Sequence, residues 1–193
     1  MNEIKDKTIM VDVDGTLIDF VTMFFDKIYD YFGIKLNPED CVDYNFNVSF
    51  KKMGIPEEVY KNFYKIWNTY VEYNGFYAIP VFTNEYFNIM QFLKKYKEQG
   101  YKIILNSKCP TEVMLNSKKK FIEKELPDNI FDEIIYDRNL LNHKPFNYDI
   151  IVEDNPFYIE EYIKRNPKGK VWLVEQPYNT YLLSKYLQYI IKE

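Results

Sequence analysis

At 193 residues, the chain suits one medium-sized domain or a domain with an inserted lid, and it is long enough to bury a substantial core. Its 25 Lys and Arg nearly balance its 29 Asp and Glu, which argues against a nucleic-acid-binding surface. The sequence shows no membrane-spanning stretch and no signal-peptide pattern, so we expect a soluble cytoplasmic protein. Cys41 and Cys109 lack metal-ligand spacing and are expected to be free thiols, although one disulfide stays open.

The first predicted element is an apolar strand in the segment Thr-Ile-Met-Val-Asp-Val-Asp-Gly-Thr-Leu at 8–17. This strand ends in Asp12 and Asp14, which are followed at once by Gly15 and Thr16. Residues two apart in a strand point the same way, so the two carboxylates would share one spot. Two carboxylates held so near each other repel, and each raises the pKa of the other unless a cation lies between them. A bound cation, or different catalytic roles for the two acids, would explain the arrangement.

A mostly helical block is predicted next, over residues 21–80. Apolar residues at helical spacing predict a helix at 20–32, and Gly33 is a plausible stop. A short turn or helix begins at Asn37-Pro38, the segment 43–52 is ambiguous, and a second helix is predicted at 56–73. We expect this block to form a cap domain inserted into a core made of residues 1–20 and 81–193.

From residue 83 onward, helices alternate with short apolar strands. Helices are predicted at 84–99, 111–124, 156–165 and 180–191, and strands at 101–105, 133–136, 149–152 and 170–174. This alternation predicts an α/β fold with a doubly wound parallel sheet. Ligands of such sheets bind beyond the carboxyl ends of the strands, where Asp12 should lie.

The motif Asp-x-Asp-Gly-Thr after an apolar strand resembles the first motif of the haloacid dehalogenase-like phosphohydrolases. The resemblance implies that Asp12 is a nucleophile that forms an aspartyl-phosphate and that Asp14 is the general acid and base. Because dehalogenase and phosphonatase branches usually lack an acid at the second position, Asp14 favours a phosphatase, with a phosphomutase as the weaker alternative.

Two other strand ends carry polar pairs. Asn106 and Ser107 follow the strand at 101–105 and can donate to phosphate oxygens. The family has Thr or Ser directly after the strand, where this chain has Asn106, so either residue could fill that role. Glu153 and Asp154 match the family's acidic pair, and buried adjacent acids are costly without a cation. The resemblance implies a Mg²⁺ site.

By resemblance, the metal ligands would be Asp12, the backbone carbonyl of Asp14, and Asp154, with Glu153 either ligating directly or supporting a ligand. Lys144, nine residues before Glu153, matches the family's third motif and would bind phosphate; Lys108 and Arg138 are its rivals. The run at 118–120, three lysines, is interpreted as a solvated helix face.

Four parts of the chain together resemble the 5'(3')-deoxyribonucleotidase branch. They are the segment at 12–20, Gly75-Phe76-Tyr77, Lys144 and the segment at 151–156. The resemblance implies that Phe20 lies beside a nucleoside and that the substrate is a (deoxy)nucleoside 5'-monophosphate, a small-molecule phosphomonoester. A sugar phosphate, or a catalytically weak phosphate-binding protein, is the alternative. Neither a nucleic-acid polymer nor a membrane is expected as a partner, and a homodimer stays open.

Overall fold

The structure is a computed structural model that describes residues 7–62, 65, 80–138 and 145–191. A five-stranded sheet forms its centre, and every pair of neighbouring strands is parallel. The strands are β1 (Thr8–Val11), β2 (Lys102–Lys108), β3 (Glu133–Asp137), β4 (Ile150–Glu153) and β5 (Lys170–Leu173), in the spatial order β3-β2-β1-β4-β5. The order reverses at β1, so the predicted doubly wound α/β fold is confirmed.

Helices flank the sheet. The described helices are α1 (Phe20–Phe32), α2 (Phe46–Lys52), α3 (57–62 within the described residues), α4 (Tyr86–Glu98), α5 (Glu112–Glu125), α6 (Pro156–Arg165) and α7 (Tyr181–Lys185), with a 3-10 turn at Pro38–Asp40. The bounds predicted for α1 and α6 are confirmed. In the segment whose structure the sequence left ambiguous, the observed element is α2.

Side chains alternate across β1 and feed two separate apolar cores. Ile9 and Val11 pack in one cluster with Phe24 of α1 and Phe121 of α5. Met10 points to the other cluster, which holds the buried side chains of α6 and α7. A central strand buried on both faces needs apolar residues at every position, which explains why residues 9–11 form a continuous apolar run.

The C-terminal helix is shorter than the sequence predicts. The prediction of a helix over 180–191 is wrong after Lys185, because the chain turns back and joins the edge of the sheet. Val171 N donates to the carbonyl of Tyr189 at 2.9 Å, and Ile191 N donates to the carbonyl of Val171 at 2.8 Å. These bonds satisfy backbone groups at the open edge of β5, a requirement that helical periodicity does not reveal.

Much of the predicted cap lies outside the described residues, including most of the helix predicted at 56–73 and the Gly75-Phe76-Tyr77 element. Cys41 and Cys109 are both buried and free, as predicted. Among the described residues, every helix is too short or too polar to cross a membrane.

Candidate active site

Three carboxylates meet where β1 and β4 end. Asp12 N donates to the carbonyl of Val152 at 3.0 Å, which extends the β1–β4 ladder and sets Asp12 beside Glu153. Asp12, Glu153 and Asp154 each offer a carboxylate oxygen within 4.8 Å of the others. All three side chains are buried. We call these residues the acidic triad.

Asp154 is held from both sides. Thr16 Oγ1 donates to Asp154 Oδ1 at 2.9 Å, and Tyr178 OH donates to Asp154 Oδ2 at 2.6 Å. Burial raises the pKa of Asp154 well above its usual range, and the neighbouring charges of Glu153 and Asp12 raise it further. Because each carboxylate oxygen has two lone pairs, these hydrogen bonds orient Asp154 while leaving it able to bind a cation.

Gly15 allows the first loop to pass directly against Asp154. Its φ of +81° lies in the left-handed region, and a Cβ added there would lie 2.6 Å from Asp154 Cγ. Gln176 Nε2 also donates to the Gly15 carbonyl at 3.0 Å. A side chain at this position would therefore collide with the acidic triad as well as strain the backbone.

Asn106 and Ser107 lie on opposite faces of the sheet. Continuing the β1–β2 register by one residue puts Asn106 beside Asp12, on the face of the acidic triad. Asn106 is buried, and its Oδ1 has no hydrogen-bond partner among the described residues. Ser107 faces α5, where its Oγ accepts a hydrogen bond from Lys118 Nζ at 2.8 Å. Asn106 is thus the better placed of the two for a ligand bound at the acidic triad.

Lys118 is the main functional candidate that the sequence interpretation missed. The prediction that Lys118 lies on a solvated helix face is wrong, because its side chain is fully buried. It forms an ion pair with Asp14 and also donates to Ser107 Oγ and the Lys108 carbonyl, each at 2.8 Å. The signal was available, because Lys118 follows the buried Leu115 by three residues and precedes the buried Ile122 by four, which places it on the inward face of α5.

The remaining predicted residues have different positions. Asp14 is about a quarter exposed, and its carboxylate contacts Lys118 instead of joining the acidic triad. Lys144 lies outside the described residues. Of its rivals, Lys108 is exposed and Arg138 pairs with Glu112 on the surface.

Phe20 begins α1 and belongs to an aromatic cluster with Phe24 and Phe46. Its ring centroid lies 5.7 Å from that of Phe24 and 6.0 Å from that of Phe46. Both Phe20 and Phe46 are partly buried against the main core, whereas Phe24 is fully within it. Packing therefore explains why much of the surface of the Phe20 ring is buried. A substrate could contact only the part of the ring that stays accessible.

The loop after β5 supplies groups that no motif indicated. Tyr178 and Asn179 both bind Asp154, the latter through Asn179 Nδ2, which donates to the Asp154 carbonyl at 2.7 Å. The position of this loop could have been predicted from the topology. Because β5 is parallel to β4, the loop that follows β5 must lie at the same edge of the sheet as Glu153 and Asp154.

Neither a protein-family model nor a curated protein matches the sequence. Solved structures do match. A hydrolase of the haloacid dehalogenase-like family from Streptococcus pneumoniae is 15% identical, with a TM-score of 0.62, and the match covers 97% of this chain and 94% of that one. The chain has the haloacid dehalogenase-like fold.

Two further structures support this assignment of the fold. A predicted phosphatase from Clostridium acetobutylicum is 16% identical, with a TM-score of 0.59 and coverage of 97% of this chain and 94% of that one. A phosphonoacetaldehyde hydrolase-like protein from Oleispira antarctica is 14% identical, with a TM-score of 0.51 and coverage of 87% and 71%. The fold is shared, and the chemistry must be argued from this chain's own residues.

Proposed function

We propose that this protein is a magnesium-dependent phosphatase that hydrolyses (deoxy)nucleoside 5'-monophosphates through an aspartyl-phosphate. The observation that carries the proposal is the acidic triad, in which Asp12, Glu153 and Asp154 gather buried carboxylates at the carboxyl edge of a parallel sheet. Burying three such groups together is unfavourable without a cation, and an all-oxygen donor set suits Mg²⁺. When bound, the ion would offset negative charge on the phosphoryl oxygens.

Asp12 and Asp14 divide the chemistry between them. A carboxylate oxygen of Asp12 attacks phosphorus, the bond from phosphorus to the leaving oxygen breaks, and Asp14 donates the proton that this oxygen gains. Asp14 then accepts a proton from the water that attacks the phosphorus of the aspartyl-phosphate, which releases phosphate and restores Asp12. The different surroundings of the two acids support these roles, because Asp12 is buried in the acidic triad whereas Asp14 is partly exposed and paired with Lys118.

Asn106 is the proposed phosphate-binding donor. Its amide can replace the hydroxyl that the family has at this strand end, since an amide Nδ2 also donates to an anionic oxygen. Its position beside Asp12 and its burial support this role over Ser107, which is engaged by Lys118. In the proposed site Lys144 binds phosphate as well, and the backbone carbonyl of Asp14 completes the metal ligands.

The nucleoside part of the proposal depends on Phe20 and the cap. Phe20 occupies the first turn of α1, immediately beyond the loop that carries Asp14, and keeps part of its ring accessible. An accessible aromatic ring can stack on any nucleobase. This placement supports a nucleotide substrate.

Phosphate release from a panel of nucleoside 5'-monophosphates and sugar phosphates, with Mg²⁺ or with a chelator, tests the proposal. We expect the highest kcat/KM on a nucleotide, activity that depends on Mg²⁺, and loss of release to background in Asp12→Asn. Asp26→Asn, an exposed change on α1, is the matched control and should leave turnover unchanged. Faster turnover of a sugar phosphate would replace the substrate assignment, and no turnover of any monoester would refute the phosphatase.

Asp14→Asn separates the two acids. It should lower kcat/KM by about 10²–10⁴-fold, the usual worth of a general acid or base. Stabilisation by Mg²⁺ should persist in this variant, because the side chain of Asp14 lies outside the acidic triad. Equal loss of activity and of stabilisation by Mg²⁺ would contradict the acid–base assignment.

A further inference from the structure

We propose that Lys118 is a positioning residue that orients the carboxylate of Asp14 for proton transfer to the leaving group. The inference rests on the proposed phosphatase function and adds to it a residue from α5, outside the motifs that the sequence revealed. Its basis is the environment of one buried ammonium group.

That ammonium group has an acceptor for each of its three N–H bonds. They are Asp14 Oδ2, Ser107 Oγ at 2.8 Å and the Lys108 carbonyl at 2.8 Å. Two of these acceptors belong to β2, so Lys118 ties the loop that carries Asp14 to the rigid sheet. All three of these acceptors are protein groups on the Asp14 side of the site, which supports a role of Lys118 through Asp14.

Burial of Lys118 is costly unless its charge is balanced. A lysine with no exposed side-chain surface pays a desolvation penalty that a neutral residue of the same length would avoid. Its neighbours on α5 provide the contrast, because Lys120 is exposed and Lys119 lies over the ring of Tyr136. Only at position 118 does the lysine of this run enter the site, where Asp14 balances its charge.

Fixing Oδ2 also fixes the plane of the Asp14 carboxylate. The remaining oxygen, Oδ1, then has a defined direction in which to pass its proton to the leaving oxygen as the phosphorus–oxygen bond breaks. Proton transfer depends on such alignment, since a donor must lie within hydrogen-bond reach of the atom it protonates. Loss of Lys118 would therefore impair the transfer of the proton more than the attack by Asp12.

Substrates whose leaving groups differ in basicity separate an effect on proton transfer from an effect on the attack by Asp12. A nucleoside 5'-monophosphate releases a basic alkoxide that needs the proton, whereas p-nitrophenyl phosphate releases a weakly basic phenolate that does not. In Lys118→Met we expect kcat/KM for the nucleotide to fall by on the order of 10²-fold and that for p-nitrophenyl phosphate by less than about 10-fold. Equal losses on both substrates would overturn the proposal, because a purely structural or phosphate-binding role affects both alike.

Lys120→Met on the exposed face of α5 is the matched control and should leave both substrates unchanged. If Lys118→Met fails to fold, Ser107→Ala removes one acceptor of the ammonium group, and it should show the same selective loss with a smaller amplitude. A uniform loss in Ser107→Ala would refute the proposal. Failure of the phosphatase assignment itself is separate, because the wild-type protein would then hydrolyse neither substrate.

Discussion

Removing one hydroxyl group, in Tyr178→Phe, tests whether the loop after β5 organises the acidic triad. Tyr178 OH donates to Asp154 Oδ2 at 2.6 Å, and both side chains are buried. The substitution keeps the ring, and with it the edge-to-face contact with Tyr44 at 5.5 Å between centroids. The change is therefore confined to one hydrogen bond that a carboxylate accepts.

The expected size follows from burial and charge. A hydrogen bond to a charged group contributes about 1.5–3 kcal/mol, and water cannot easily replace it here. At about 2–4 °C per kcal/mol for a chain of this size, Tm should fall by roughly 3–12 °C. Partners that orient a metal ligand typically contribute about 10–100-fold to affinity, so the apparent Kd for Mg²⁺ should rise by about that factor.

Thermal unfolding across a Mg²⁺ titration measures both quantities in one assay. Tyr29→Phe is the matched control, because Tyr29 is exposed on α1 and its loss of a hydroxyl should change stability by less than about 0.5 kcal/mol. A Tyr178→Phe protein that matched this control in both Tm and Mg²⁺ response would refute the reasoning. A lower Tm with an unchanged Mg²⁺ response would show that the bond supports the fold and not the acidic triad.

Three further outcomes are expected. Gly15→Ala should lower Tm and abolish stabilisation by Mg²⁺, because its Cβ would overlap the Asp154 carboxylate; retention of both would contradict the close approach. Asn106→Leu should raise the free energy of unfolding by about 1–3 kcal/mol, since it removes a buried unpaired carbonyl, yet it should lower phosphate release; a parallel loss of both would indicate a structural role. The raised pKa of Asp154 favours the folded metal-free protein at acidic pH, and that contribution is lost as the pH rises through the folded-state pKa. Binding a cation requires the ionised acid, so the rise in Tm caused by Mg²⁺ should be larger at alkaline than at mildly acidic pH; an equal rise at both would argue against Asp154 as a ligand.

The ends of β1 and β4 were predictable from sequence because the physics that places them is simple, whereas the predicted end of β2 at residue 105 was wrong, since β2 continues through Asn106 and Ser107 to Lys108. Parallel strands that alternate with helices bring their carboxyl ends to one edge, so an apolar run ending in Asp12 and another ending in Glu153 must lie near each other. Apolar runs of this kind depend on local residues alone. The fold class and the members of the acidic triad could be obtained in this way.

The features that sequence reasoning missed depend on contacts between distant segments. Lys118 was judged by its charge, whereas its position in the helical period is what directs it inward. The end of α7 is set by pairing with Val171 across the sheet, and the role of Tyr178 by its proximity to Asp154. Neither the end of α7 nor the contact of Tyr178 with Asp154 can be predicted from the spacing of apolar residues in the sequence.

The hydrogen bond between Thr16 and Asp154 joins residues 138 positions apart in the chain. Asp12 meets Glu153 only when β4 is docked beside β1, so the acidic triad depends on a contact between distant segments, and an N-terminal fragment ending before β4 would lack it. A cation held by the triad would then bind the fully assembled sheet and no partly folded form. By mass action, a higher concentration of that cation would increase the stability of the native state.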